Sequence, residues 1–311
     1  MLKKLLVHAL SPFYLIKDLI LFKLFKKKAS EKTHNFFVIL FCLSGGLSNR
    51  ILDFLLSSPK KLFKSSSIYL KNFDKKLALE NLNQLGFFFK ENVLSHKDVQ
   101  EIQSFLKNVS GIYRSDEYFS KEKEKFNFNS PKAVTFHYDQ NDLIENHLIQ
   151  KIAIDRNIVN LVGDYFKKSP VLDAINMWWS LPSNKPDMTS AQAWHFDLDR
   201  TKWLKVFIYL TDCGEKNGPH YFIQKSHNDN GIPFGIRKKG YERIDQETIN
   251  HFYKKEDIKH LTAKQGAVLF EDTRGMHKGQ KVEVGSRLIL ILQYTTNLFG
   301  HLDTKIKFPK N

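Results

Sequence analysis

The chain has 311 residues, 42% hydrophobic and 26% charged, too apolar for a disordered tail and too polar for a bundle of membrane spans. Its two cysteines, Cys42 and Cys213, allow neither a disulfide framework nor a clustered cysteine zinc site, which fits a reducing, cytoplasmic setting. The formal charge of +15 is unevenly placed: residues 1–76 hold 14 Lys and one Arg against four acids, a net +11. Because that segment is also rich in Leu, Ile and Phe, its excess charge suits an anionic membrane surface better than nucleic acid.

The extension contains two apolar blocks. Ser11-Pro12 reads as a helix start, with Pro at the first helical position, followed by a mostly apolar run from Phe13 to Phe25. Phe36 to Leu43 forms the second block. Neither has the roughly 18 to 20 clean apolar residues of a membrane span. Two readings stay open: an interfacial anchor, peripheral to a membrane, or helices packed on the main domain or a partner chain. Ser65-Ser66-Ser67 and the charged stretch Lys71 to Lys76 read as a linker, dividing the chain into residues 1–76 and a domain over residues 77–311.

Within that domain, Gly86-Phe87-Phe88-Phe89 reads as a short strand. Ser95 is placed to cap a helix whose apolar positions are Val99, Ile102, Phe105 and Leu106, and Ile152 to Phe166 has helical periodicity throughout. Beyond Pro170 the pattern changes to short β-prone runs: Val171–Leu181, Ala193–Asp197, Trp203–Leu210, His220–Ile223, Ile258–Thr262, Ala267–Glu271 and Arg287–Thr296. Short strands separated by Gly, Asn and Pro predict an α+β fold with a mainly β core, a jelly roll carrying flanking helices. The long Lys- and Asn-rich loops of residues 228–257 are the largest insertion.

Candidate chemistry gathers on these strands. His195 and Asp197 are two residues apart, so an extended backbone turns both to one face. His277 follows the run ending at Glu271, and two His with one carboxylate form a ligand set suited to Fe(II) with positions left open. Arg287 opens the very apolar run Leu288 to Leu292; its planar fork needs an anionic partner, which a dicarboxylate cosubstrate would supply. Asn176, Trp178 and Ser180 share one strand face, with Trp179 on the other; Asn176 is a candidate for the cosubstrate pocket. Asp199, Arg200 and Lys202 are candidate substrate contacts, against the plainer reading of a charged turn, and His227 is read as organising its loop.

In this order, together with Asn217-Gly218-Pro219-His220-Tyr221-Phe222-Ile223-Gln224-Lys225-Ser226-His227, the motifs resemble the phytanoyl-CoA dioxygenase family of Fe(II)- and 2-oxoglutarate-dependent oxygenases, over roughly residues 80–297. The resemblance implies a double-stranded β-helix, cupin-like, with His195, Asp197 and His277 as iron ligands and Arg287 as partner of the distal carboxylate of 2-oxoglutarate. It implies oxidative decarboxylation to succinate and carbon dioxide coupled to attack on a substrate C–H bond. Lys225 stands where the family usually has Gly. The carboxylate of Asp197, which related halogenases lack, favours hydroxylation. The substrate class is a small molecule or, given the extension, a lipid-linked one. The rival readings are a non-catalytic jelly-roll binding protein and a membrane-peripheral adaptor.

Overall fold

The computed structural model describes residues 2–182, 191–240, 242–300 and 306, without the side chains of residues 2–11. It opens on three helices, α1 (Leu2–Phe25), α2 (Glu31–Ser44) and α3 (Leu47–Leu56). The expected start at Ser11-Pro12 is not a boundary: α1 runs through Pro12 from Leu2. The Ser30 side chain caps α2 by accepting from the Thr33 N–H, and Asp18 of α1 ties the corner by accepting from the Ser30 and Thr33 hydroxyls at 2.7 and 2.6 Å. At its other end α2 stops on Gly45, whose left-handed φ of +65° suits glycine, and a Cβ there would meet the Asn230 side chain.

Among the described residues seven further helices flank the sheets: α4 (Lys75–Gln84), α5 (His96–Leu106), α6 (Gln140–Leu143), α7 (His147–Ala153), α8 (Arg156–Phe166) and, in the long insertion, α9 (Phe234–Arg237) and α10 (Gln246–Phe252). Ser95 caps α5 in a reciprocal capping box with Asp98, as its spacing predicts. The single helix expected over residues 152–166 is two. The Asp155 carboxylate accepts from the Asn157 and Ile158 N–H groups and starts α8 afresh, so a capping residue interrupts an otherwise helical apolar pattern.

The expected linker is also not free chain. Phe63 and Asn160 exchange two hydrogen bonds at 3.0 Å, the Ser67 hydroxyl donates to the Lys151 carbonyl at 2.6 Å, the Tyr69 N–H donates to Asp155, and Leu70 is fully buried. Residues 57–74 are thereby strapped across α7 and α8.

The strands are β1 (Phe87–Lys90), β2 (Ser110–Arg114), β3 (Glu124–Lys125), β4 (Thr135–Tyr138), β5 (Val171–Ser180), β6 (Trp203–Tyr209), β7 (His220–Ile223), β8 (Ile258–Leu261), β9 (Val268–Glu271), β10 (His277–Gly279) and β11 (Arg287–Thr295). They form an eight-stranded sheet, β1-β9-β6-β11-β5-β4-β2-β3, and a three-stranded sheet, β10-β7-β8, antiparallel throughout: the mainly β jelly roll with flanking helices that the sequence predicts. Period-two alternation divides the large sheet. Leu204, Val206, Ile208, Leu290 and Phe270 bury their side chains in one core with α4, α5, α7 and α8. Phe207, Tyr209, Leu269, Ile289 and Ile291 form the opposite, concave face.

A further core joins the N-terminal helices to the segment carrying His195 and Asp197. Phe37 and Phe41 of α2 and Leu52 of α3 are buried with Trp194, Phe196, Leu198 and Met276, and the Phe41 and Phe196 rings lie 5.6 Å apart. Three polar contacts secure the packing: Arg237 donates to the Cys42 carbonyl at 2.6 Å, the Asn230 N–H donates to the Gly45 carbonyl at 2.8 Å, and Asp53 accepts from the Thr296 hydroxyl. Phe41→Ala is expected to lower unfolding stability by about 3–5 kcal/mol. Phe54→Ala, on an exposed face of α3, is expected to change it by less than about 0.5 kcal/mol. Denaturant unfolding of the two variants measures both.

Candidate metal centre

The Ala193–Asp197 run is not a sheet strand. Among the described residues it makes only isolated bridges, Trp194 with Ile244 of the insertion between β7 and β8, and His195 with His277 at the start of β10. The local register nevertheless fixes the site. The His195 N–H donates to the His277 carbonyl at 2.9 Å, the His277 N–H returns to the His195 carbonyl at 2.8 Å, and the Asp197 N–H donates to the Thr273 carbonyl at 2.8 Å. Alternation then sends Trp194, Phe196 and Leu198 into the α2–α3 core and His195 and Asp197 the other way.

The result is a buried cluster of His195, Asp197 and His277, with one ligand atom from each lying within 4.8 Å of the others. Each imidazole Nδ1 lies 2.9 Å from a backbone carbonyl two residues earlier, Ala193 for His195 and Gly275 for His277. A carbonyl only accepts, so Nδ1 carries the proton and the bare Nε2 lone pair of each ring faces Asp197, at 3.9 Å and 3.7 Å. Burial pushes both imidazoles below the ordinary histidine range, toward the neutral form that binds metals. Burial alone would raise the Asp197 carboxyl, but the Lys205 ammonium beside it outweighs burial and holds the group well below the usual carboxylate range. Two neutral imidazoles and an ionised carboxylate aimed at one point fit a divalent transition metal.

Lys205 and Glu271 are neighbours of the cluster that the motif reading misses. They face each other across β6 and β9. Lys205 Nζ donates to Asp197 Oδ2 at 2.6 Å and lies 3.7 Å from Asp199; the same Oδ2 faces His277 Nε2, while Oδ1 faces His195 Nε2. Glu271 is fully buried, and burial raises its carboxyl to about 8. It lies 3.0 Å from His220 Nε2, whose ring is pushed down to about 3 by burial and stacks 5.7 Å from that of His277. The available signal is a charged residue inside the apolar runs Trp203–Tyr209 and Val268–Glu271.

Arg287 is buried at the far end of the concave face, opposite Ser180. Its Nη1 donates to the Gly218 carbonyl and its Nη2 to the Ser180 hydroxyl at 3.2 Å, while Nε has no partner and no carboxylate pairs with it among the described residues. An orphaned N–H on a buried guanidinium is costly, so Arg287 fits an anionic ligand. Asn176 is exposed on the same face, in register with Ile291 and Phe207, between the rows of Lys205 and Arg287. Trp178 stacks on His137 at 5.5 Å on that face, whereas Trp179 turns to the other side against Phe126.

Of the charged turn, only Asp199 approaches the cluster. Arg200 is a structural residue, paired with the buried Asp173 at 2.8 and 3.0 Å, and Lys202 points elsewhere. His227 does hold its loop, its Nε2 lying 3.3 Å from the Asn83 carbonyl. Lys225 adopts a φ of +66°, the left-handed conformation for which glycine is ordinarily used.

The family model for phytanoyl-CoA dioxygenase matches residues 82–283, a span that includes all three members of the cluster. The chain belongs to the phytanoyl-CoA dioxygenase family. That family is Fe(II)- and 2-oxoglutarate-dependent. No curated protein matches in sequence. Among solved structures, HygX from Streptomyces hygroscopicus, with nickel and 2-oxoglutarate bound, is 16% identical and aligns over 75% of this chain and 91% of its own with a TM-score of 0.51. EctD from S. alaskensis, in its apoform, is 14% identical over 77% of this chain and 80% of its own, TM-score 0.51. The 2-oxoglutarate-dependent carbocyclase SnoK from nogalamycin biosynthesis is 12% identical over 72% and 84%, TM-score 0.50. These likenesses establish a shared fold.

Asp197→Ala and His277→Ala are each expected to weaken Ni(II) or Fe(II) binding by about a hundredfold or more, measured by anaerobic calorimetry. His227→Gln is expected to leave it within about twofold, since that imidazole is not directed at the cluster.

Proposed function

We propose that this chain is an oxygenase that hydroxylates an aliphatic C–H bond, with His195, Asp197 and His277 holding Fe(II) and Arg287 binding the distal carboxylate of 2-oxoglutarate. The observation that supports this most directly is the pair of Nδ1-to-carbonyl hydrogen bonds, which leaves two bare Nε2 atoms facing one ionised carboxylate. When bound, the iron and its keto-acid cosubstrate supply dioxygen activation with release of succinate and carbon dioxide.

The chain's own residues do the placing. His195, Asp197 and His277 present three donors from one side. Lys205 fixes the rotamer of Asp197 and keeps it ionised, so that the carboxylate enters the site as a ligand and not as an acid. Arg287, with its fork facing the concave side and one N–H unsatisfied, orients a dicarboxylate and contributes a charge-assisted pair of about 1.5–3 kcal/mol. Asn176, lying between the Lys205 and Arg287 rows, is positioned to hydrogen-bond the cosubstrate or substrate. The apolar wall of Phe207, Leu269, Ile289 and Ile291 excludes water from the reacting centre.

Hydroxylation is favoured because the ligand set includes a carboxylate, leaving no position reserved for a halide. HygX, EctD and SnoK share only the fold, so product chemistry rests on this chain's residues. The substrate in this reading is a small molecule or a lipid-linked one, reached by an enzyme held at the cytoplasmic face of a membrane through residues 1–76. No helix among the described residues is long and apolar enough to cross a membrane, so such an association would be peripheral.

Anaerobically reconstituted protein, exposed to oxygen with 2-oxoglutarate, is expected to release succinate, and Asp197→Ala to release none. Arg287→Gln is expected to raise the dissociation constant for 2-oxoglutarate at least about tenfold while Ni(II) binding stays within about twofold. Unchanged 2-oxoglutarate affinity in Arg287→Gln would remove that residue from the account.

A further inference from the structure

A second concavity lies away from the metal centre. It is a cleft of about 870 Å³ between α3, the C-terminal end of α8, Thr201-Lys202 and the His227–Asp229 loop, and none of His195, Asp197 or His277 lines it. Five cations, Arg50, Lys167, Lys168, Lys202 and Arg274, stand around it against two carboxylates, Asp53 and Asp229. Both carboxylates already have partners: Asp229 pairs with Arg50, and Asp53 accepts from Ser57 at 2.7 Å and from Thr296. Arg274 is paired with Asp272.

Three lysines are left over. Lys202 is the deepest: its ammonium lies over the rings of Tyr165 and Phe166, at 4.9 and 5.6 Å, and forms no salt bridge with any described residue. Lys168 lies over the Phe54 ring at 5.6 Å, and Lys167 follows the last turn of α8 in the left-handed conformation. Neither has a carboxylate partner among the described residues. A cation held on aromatic faces without a counter-ion is set up to take an anion.

The wall beside these lysines has the opposite character. Leu47, Ile51, Phe54 and Leu55 recur at helical spacing along one side of α3 and are each half or more exposed, Phe54 to 76%. The rest of α3 is anchored by Leu52 and Asp53, so the helix is fixed in place and its apolar stripe is presented outward. An exposed apolar stripe next to a cationic pocket matches a ligand with an anionic head and an apolar tail.

We infer that this cleft binds the phosphate headgroup of an acidic phospholipid in a bilayer, with Lys202, Lys167 and Lys168 around the phosphate and the α3 stripe in the acyl region. The inference goes beyond the oxygenase reading and stands without it, because it uses no metal-site residue and needs no turnover. It replaces a diffuse attraction of the basic N-terminal segment with one defined site.

The test is cosedimentation of the metal-free full-length chain with vesicles of phosphatidylcholine alone or mixed with phosphatidate. Binding to the acidic vesicles is expected to be at least about tenfold tighter than to neutral ones. The double variant Lys167→Gln/Lys168→Gln and, separately, Phe54→Ser are each expected to lose about tenfold. A charge-matched control, Lys26→Gln/Lys27→Gln, removes two cations outside the cleft lining and is expected to lose less than about twofold. Unfolding midpoints confirm that each variant is folded. Equal loss in the control would mean diffuse charge, equal binding to neutral vesicles would mean apolar adsorption, and full competition by glycerol phosphate would mean a soluble ligand. Each of these, like an absence of vesicle binding, overturns the inference.

Discussion

The site depends on a short antiparallel exchange of backbone hydrogen bonds. His195 and His277 pair N–H to carbonyl in both directions, and Asp197 is held to Thr273 one step further on. This contact joins residues more than eighty positions apart, sets the two imidazole rings 4.2 Å from each other, and leaves their Nδ1 atoms beside carbonyls two residues earlier in the chain. Three side chains gain a common focus without a regular strand under two of them. Loop closure over that separation is entropically costly, so the exchange must be supported from behind.

That support comes from the N-terminal helices. Phe41 packs on Phe196, which lies between His195 and Asp197 in sequence, and Leu52 and Phe37 complete the same core. The segment is thus sandwiched: the candidate metal ligands His195 and Asp197 on one side, α2 and α3 on the other. Close packing transmits shape, so a cavity behind Phe196 would let the ligands drift by the ångström that weakens coordination. A segment whose composition suggests a surface anchor therefore also backs the chain that carries His195 and Asp197, and most of its exposed apolar side chains lie on α1 and α3.

Much of the site is legible in the amino-acid sequence, because the chemistry needs particular residue types. His195, Asp197 and Arg287 stand out by type and by placement on β-prone runs, His277 by type and by following the run that ends at Glu271, and the jelly roll follows from strand length and spacing. What is not legible depends on tertiary contacts. Lys205 and Glu271 look like solvent-facing residues of ordinary strands until β6 and β9 pair, which sets the two opposite each other with Glu271 fully buried and Lys205 half-buried. The break at Asp155 is invisible to periodicity, since a cap can interrupt a helix without disturbing its apolar pattern. The Ser- and Lys-rich stretch ahead of α4 has a linker's composition but is bound through its backbone, to Asn160 and Asp155, which composition does not reveal. Lys225 shows the reverse: the residue departs from the family's glycine while the backbone keeps the glycine-like φ, at a steric cost of about 1–2 kcal/mol.

The central claim is that one metal ion sits where two Nε2 atoms and one carboxylate oxygen converge. An iron-edge anomalous difference map from crystals grown anaerobically with Fe(II) and 2-oxoglutarate measures this directly. The expected result is a single strong peak about 2.1 Å from His195 Nε2, His277 Nε2 and an oxygen of Asp197. A peak bound by other side chains, or none at full iron loading, would contradict it.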